Sequence, residues 1–326
     1  MADGNAVTTM TFDDAGAFSK ALSKSNVVCM QTSSGILKFG LTIVRLPELE
    51  LHLTSMPVGA CIALGDTAHD SVSFHVGLSV GRSLNLMGTS AGTNCFAAYA
   101  RGGELAIRAE SGARLAYIVP NCKSMPELHE LLSKDVGLSK ARQSYRGNIE
   151  ISELVSLKAL LDEIAHIIEF SPALLDRRAT ARNLSQSLLV QTFSVARKQV
   201  ATSTPVGGSQ RSHVQIVTRV HDYLRQCPTE PVYVLDLCRV VGVSQPTLFR
   251  AFRQTLGIGP KEYLQIRRLH LSRQRLLQPD HTVSVHDVAY DLGFWHLGRF
   301  SRAYRAMFGE TPSNTLRRRL RSQRCL

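Results

Sequence analysis

The sequence predicts a two-domain α+β chain, with a β-rich N-terminal half that continues into helices and an all-α C-terminal region holding two helix-turn-helix units. Three observations carry that reading. Residues 28–120 contain short β-like runs, residues 122–200 place apolar side chains at helical spacing, and the last third repeats one pattern about fifty residues apart. A chain of 326 residues has room for two domains of ordinary size.

The β-like runs are Ile36–Leu46, Leu49–Leu53, Ala60–Leu64, Val72–Leu78, Cys95–Ala100, Glu104–Arg108 and Arg114–Val119, separated by Gly, Pro, Asp and Asn. Strands at such spacing suggest an antiparallel barrel or double sheet. Beyond residue 120, Leu154, Leu157, Leu161, Ile164 and Ile168 fall on one helical face, and Ala181–Val200 carries Leu184, Leu188 and Phe193 likewise. Such a stripe is either core or a partner surface. The run Ala201–Gln210 is rich in Gly, Ser, Thr and Pro and reads as a linker. The expected domains are therefore 1–200, a linker at 201–212, and 213–326.

The repeat is specific. Its first copy is Leu237-Cys238-x-x-x-Gly242-Val243-Ser244, then Leu248-x-Arg250-x-Phe252, then Gly257-x-x-Pro260. The second is Val288-Ala289-x-x-x-Gly293-Phe294, then Phe300-x-Arg302-x-Tyr304, then Gly309-x-x-Pro312. Positions up to the first glycine are 51 apart and later ones 52 apart, so one residue is inserted in the second turn. A small residue (Cys238, Ala289) lets two helices cross closely, and the glycine four residues on can take the positive φ that ends the first helix. Ser244 suits an N-cap, and Pro246 is tolerable only in a first turn, so the second helix begins near Gln245.

With Leu248 and Phe252 one turn apart on the buried face, Ser244, Gln245, Pro246, Phe249, Arg250 and Arg253 lie on or near the exposed side. The 52-residue offset places Leu297, Gly298, Ser301, Arg302 and Arg305 on the corresponding face of the second unit. An exposed helix of this motif fits the major groove of double-stranded DNA. Its arginines can each bond guanine O6 and N7 together or grip a phosphate. Between the units, Pro260–Leu277 reads as a helix of roughly 27 Å, long enough to hold the two helices near successive groove faces.

These residues resemble the AraC/XylS family of bacterial transcription regulators. The likeness covers Arg219 to Arg319, and the stretches Val234–Cys238, Leu256–Pro260 and Gly293–Phe300 look most like the subgroup containing the ethanolamine-operon regulator. Gly298 stands where the family usually carries serine. The resemblance implies a cupin-like N-terminal barrel that senses a small-molecule effector, and a homodimer whose contact falls on Ser152–Phe170 and Ala181–Lys198. It also implies promoter DNA and RNA polymerase as partners, and transcription activation.

Charge agrees with a nucleic-acid partner. Residues 213–326 hold 18 Lys+Arg against 8 Asp+Glu, while residues 1–212 hold 20 against 18, so nearly all of the +12 lies on the double unit. The basic tail Leu316–Arg321 could touch phosphate or lie solvated. Met1–Asn5 shows no secretory signal, no run approaches a membrane span, and seven scattered cysteines without Cys-x-x-Cys fit reduced thiols. A cytoplasmic protein is expected. His69 and His75 lack the His-x-His of a metal-binding cupin, and single histidines such as His52 and His129 are weak ligand candidates. Gly88–Gly92 forms no phosphate loop, and no catalytic set stands out, so neither metal, cofactor nor enzyme activity is expected. Two alternatives remain: a DNA-modifying or repair enzyme fused to such a double unit, or an architectural protein that senses nothing.

Overall fold

The computed structural model describes residues 6–22, 25–67, 72–79, 84–91, 95–121, 144–148, 151–202, 208–227, 232–278 and 283–324. The N-terminal module contains β1 (Val7–Phe12), α1 (Ala15–Ala21), β2 (Asn26–Gln31), β3 (Lys38–Arg45), β4 (Leu49–Val58), β5 (Ala60–Asp66) and β6 (Ser73–Gly77). It continues with β7 (Leu84–Leu86), β8 (Thr89–Ala91), β9 (Cys95–Tyr99), β10 (Glu104–Glu110), β11 (Ala113–Pro120) and β12 (Ser144–Asn148). They form a seven-stranded sheet in the order β1-β3-β4-β11-β6-β9-β12 and a five-stranded sheet in the order β2-β5-β10-β7-β8. The two sheets face each other as an open sandwich, so the cupin-like barrel is approximate and unclosed.

Side-chain alternation sets the layers. On β11, Leu115 and Tyr117 point between the sheets, while Ala116 and Ile118 pack outward. That outer face is covered by α2 (Ile151–Phe170) and α3 (Arg178–Thr202), joined through a short 3-10 turn at Pro172–Leu174. Leu154, Leu157, Leu161 and Ile164 are at most 1% exposed there, in one cluster with Phe74, Phe96 and Ile118. The apolar stripe expected at the dimer contact is thus core, because a seven-stranded sheet with an apolar outer face needs a cover. One further expectation changes. Residues 144–148 lie within the stretch read as helical, and they form the edge strand β12, which pairs with β9.

The C-terminal region comprises α4 (Gly208–Gln226), α5 (Val234–Val241), α6 (Gln245–Leu256), α7 (Pro260–Leu277), α8 (Val285–Asp291), α9 (Leu297–Phe308) and α10 (Pro312–Arg324). Helices α3 and α4 run into the predicted linker from both sides, and residues 203–207 lie outside the described ones. Helix α4 lies on β5 and β10, α6 on β10, and α7 on β2. Ile62, Leu64 and Ala106, all 0% exposed, turn toward these helices, whereas their neighbours Cys61, Ala63 and Leu105 line a cavity between the sheets. The five-stranded sheet is therefore a shared wall, with a cavity on one side and the double unit on the other.

Candidate nucleic-acid interface

Both units are built from the same local chemistry. In the first, α5 ends at Gly242 with φ 70°, and the Gly242 and Val243 N–H groups both donate to the Cys238 carbonyl, at 2.9 and 3.1 Å. In the second, Gly293 has φ 76° and the Phe294 N–H donates to the Ala289 carbonyl at 2.9 Å. Left-handed glycine with this bonding closes the helix while satisfying its last carbonyls. Two residues then precede α6, but three (Phe294, Trp295, His296) precede α9, which is the inserted position. Ser244 occupies the N-cap of α6 with φ −70° and ψ 158°, although its hydroxyl meets Thr247 Oγ1 at 3.0 Å instead of a backbone N–H. Gly257 and Gly309, with φ 74° and 73°, end α6 and α9, and Pro260 and Pro312 open the helices that follow.

Leu248 and Phe252 in α6, and Phe300 and Tyr304 in α9, are at most 1% exposed and fix which side of each helix faces out. Ser244, Gln245, Pro246, Arg250 and Arg253 are exposed and Phe249 is half-buried. Leu297, Gly298, Arg302 and Arg305 are exposed and Ser301 is half-buried. Each predicted residue therefore lies on the outward face of its helix or at that face's edge. Among the described residues, no carboxylate pairs with Arg250, Arg253, Arg299, Arg302 or Arg305. Arg302 lies back along its own helix, its Nε donating to the Gly298 carbonyl at 3.3 Å.

The structure adds residues that the spacing argument did not single out. An open concavity of about 620 Å³ joins the two units and is lined by Tyr233, Gln245, Lys261, Arg268, Trp295 and Arg299, among others. Trp295 is 66% exposed and stands edge-on to Tyr290 at 5.2 Å. His296 and Arg299 are exposed beside it. The available signal was the inserted turn residue, which pushes Trp295 and His296 out of the register of the first unit. Among the described residues, the cations of the concavity have no carboxylate partner, although Arg268 donates to the Val232 carbonyl at 3.1 Å, and with the aromatic edges between two equivalent outward helices they suit a polyanion crossing from one unit to the other.

The opposite ends of these helices are held by the N-terminal module. The Gln31 amide donates to the Met307 carbonyl at 2.9 Å, the Gly35 N–H donates to the Ala306 carbonyl at 2.9 Å, and His270 Nε2 bonds the Gln31 carbonyl at 3.1 Å. Arg273, on α7, donates to Asp14 and to Glu310, both at 2.8 Å, and its guanidinium lies 4.7 Å from the centre of the Phe308 ring. Burial alone would raise the Asp14 pKa, but the Ala17 N–H and the Arg273 guanidinium outweigh it and hold the carboxyl below its ordinary range. At α6, the Arg108 guanidinium packs so closely on Gly257 that a Cβ there would lie 1.9 Å from its Nη1. Inside the region, His221 bonds the Tyr263 hydroxyl at 2.8 Å and fixes α4 to α7.

A helix-turn-helix domain family matches residues 237–318. The XylDLEGF operon transcriptional activator 3 of Pseudomonas putida is 38% identical over 109 residues, 33% of this chain and 32% of the relative. The probable thc operon regulatory protein of Rhodococcus erythropolis is 38% identical over 103 residues, 31% of each chain. Among solved structures, a probable AraC family transcriptional regulator from Rhodopseudomonas palustris CGA009 is 32% identical, covering 32% of this chain and 97% of that one with a TM-score of 0.30. The C-terminal region is a domain of the AraC/XylS family. The match spans about a third of the length of these curated relatives, and it falls on the AraC/XylS-type domain. Among the described residues, no helix is long and apolar enough to cross a membrane, and no group of three or more His, Cys, Asp or Glu is placed to hold a metal ion.

Proposed function

We propose that the chain is a cytoplasmic, sequence-specific DNA-binding transcription regulator and an activator of promoters, whose N-terminal module answers to a small-molecule effector. The observation that carries this reading is the row of five unpaired arginines on the outward faces of α6 and α9, in two helix-turn-helix units that share one open concavity. The curated relatives matched by the AraC/XylS-type domain bear operon-activator and operon-regulator names. Ser244, Gln245, Pro246, Phe249, Arg250 and Arg253 would meet one stretch of major groove, and Leu297, Gly298, Ser301, Arg302 and Arg305 a second. Lys261, Arg268 and Arg299 would take the phosphates between. A homodimer and contact with RNA polymerase belong to the same reading, and enzymatic activity does not.

The shared wall supplies the coupling. A small molecule between the sheets touches one face of β2, β5 and β10, and the AraC/XylS-type domain rests on the other face. An occupant would then favour one arrangement of the two units over another, which is a population shift. Fluorescence anisotropy of the full chain on promoter DNA over a salt series tests the reading. Affinity is expected to fall linearly in log salt with a slope of about −0.9 per phosphate contacted. A folded chain with no salt-sensitive DNA binding would refute it.

A further inference from the structure

The inserted residue of the second unit is Trp295. Counting from the paired glycines, Phe294 matches Val243 and His296 matches Ser244, so the indole has no counterpart in the first unit. Its neighbours leave it no way inward. The Phe294 ring packs on Phe300 with centres 4.8 Å apart, and the His296 carbonyl accepts from the Arg299 and Phe300 N–H groups at 3.0 and 2.9 Å, which starts α9. Trp295 is therefore turned out, 66% exposed, and stands edge-on to Tyr290 of α8, itself 57% exposed. Leu297, two residues on, is 42% exposed. Large apolar side chains left together in water mark a surface that binds something.

Position and charge narrow what that is. Trp295 lines the concavity shared by the two units and also a second one bounded by Leu297, Gly298 and Arg302, so it stands on a ridge between two basic hollows. The carboxylates of the adjoining helix are taken up elsewhere, since Asp287 accepts from the Ser284 hydroxyl and Asp291 pairs with Arg275. A polyanion is favoured there. In a helix-turn-helix, the entry end of the second helix meets the base edges. Where α6 opens with Ser244 and Gln245, whose side chains donate and accept hydrogen bonds, α9 opens with Leu297 and Gly298, whose side chains do neither. At Gly298 nothing lies within 4 Å of where a Cβ would be, so a base pair can come close to the helix backbone. The major groove offers an apolar surface one partner among the four bases, the thymine 5-methyl group.

We propose that Trp295, together with Leu297, reads thymine methyl groups, so that the second unit selects a thymine-bearing segment by apolar contact while the first selects by hydrogen bonds. The proposal deepens the DNA-binding reading of the same site and rests on it.

The test uses the full chain. Tight duplexes are selected from a random-sequence library, and fluorescence anisotropy compares the selected duplex with copies in which each thymine in turn is replaced by deoxyuridine, which removes the methyl and keeps every hydrogen-bonding group. The native chain is expected to lose about fourfold in affinity for each methyl it buries, the worth of one buried group of that size. Trp295→Ala should bind the thymine and uracil forms of at least one such position equally, and Trp295→Phe, which keeps a ring, should restore the preference. Leu297→Ala leaves the indole in place, remains informative if Trp295→Ala fails to fold, and should weaken the same preference. Native affinity unchanged by every deoxyuridine, or thymine preferences unaltered in Trp295→Ala and Leu297→Ala, would overturn the proposal. So would a Trp295→Ala chain that loses affinity equally for both forms, which would assign the indole to the sugar-phosphate backbone, or one that loses none, which would assign it to a protein partner. In each of these cases salt-sensitive DNA binding persists and the regulator reading stands, whereas a folded chain that selects no duplex sinks both.

Discussion

The two helix-turn-helix units share their left-handed glycines and their core and differ at the end of the second helix that faces outward. Helix α6 opens with Ser244, Gln245 and Pro246, whereas α9 opens with His296, Leu297 and Gly298 behind an exposed Trp295. Under the proposed DNA reading, Gln245 can pair with an adenine edge, while Leu297 offers an apolar contact that suits a thymine methyl. Arginines Arg250 and Arg302 occupy equivalent places in both. The two units thus agree in what folds them and differ in what, on that reading, would meet the base edges. The units differ at their rear as well. Backbone carbonyls of α9 are bonded directly by Gln31 and Gly35, while α6 is approached through Arg108.

The largest expected effect breaks this rear asymmetry. Arg273→Ala would leave Asp14 without its cationic partner and Glu310 with Arg318 alone at the second unit, and among the described residues no comparable buried pair stands at the first. A loss of about 3 kcal/mol is expected, the low end of the range for a broken buried pair, because both carboxylates are 20% exposed. Urea unfolding measures it, and a variant as stable as the native chain would show that the pair is dispensable. Next come the turn glycines. No side chain or backbone closer than 4.0 Å awaits a Cβ at Gly242 or Gly293, so the cost of Gly242→Val and Gly293→Val is backbone strain alone. About 1–3 kcal/mol is expected at each, and melts of the two variants should agree. A variant that melts like the native chain but loses DNA would place its glycine at the DNA surface.

Arg250→Ala and Arg302→Ala should leave stability unchanged and weaken specific DNA binding by about 1–3 kcal/mol each if a base is read. A loss equal on all sequences would assign phosphate contact, and unchanged affinity on every sequence would return both to solvated surface. The last effect is a graded one, of pH, and is small near neutrality. Burial, aided by Arg225 and Arg267, pushes His221 down to about 4, and burial against the opposing pull of the Gln31 carbonyl pushes His270 to about 4. Both are neutral when folded, whereas unfolded imidazoles titrate near 6.5, so the unfolded chain binds more protons between about pH 6.5 and 4. Stability should be full above that window and fall as the pH drops through it. Melting temperature against pH checks this, with His221→Phe flattening the slope through the first unit's support and His270→Phe through the second unit's docking.

The repeat was legible because its parts act locally: a left-handed glycine, a proline in a first turn, and apolar residues one turn apart each declare a conformation within a few residues. Strands β3 to β6 and β9 to β11 were legible for the same reason, from alternation between turn signals. What stayed hidden depends on distant partners. The stripe Leu154, Leu157, Leu161 and Ile164 shows an apolar face but not what covers it, and the cover is a sheet whose strands lie far away in sequence. Strand β1 pairs with β3 as an edge, and its Val-Thr-Thr-Met-Thr-Phe is too polar to stand out. Asp14 and Arg273 meet across 259 residues, and no spacing rule reaches that far.

The shared wall has a thermodynamic corollary. If an occupant of the cavity changes the affinity of the AraC/XylS-type domain for its operator by some factor, the operator must change the affinity of the cavity for that occupant by the same factor. Operator DNA would then be an effector in its own right, acting on the small molecule through β2, β5 and β10. Chains parked on promoters and chains free in solution would hold the molecule unequally, and the inequality would measure the strength of the switch without any transcript being counted.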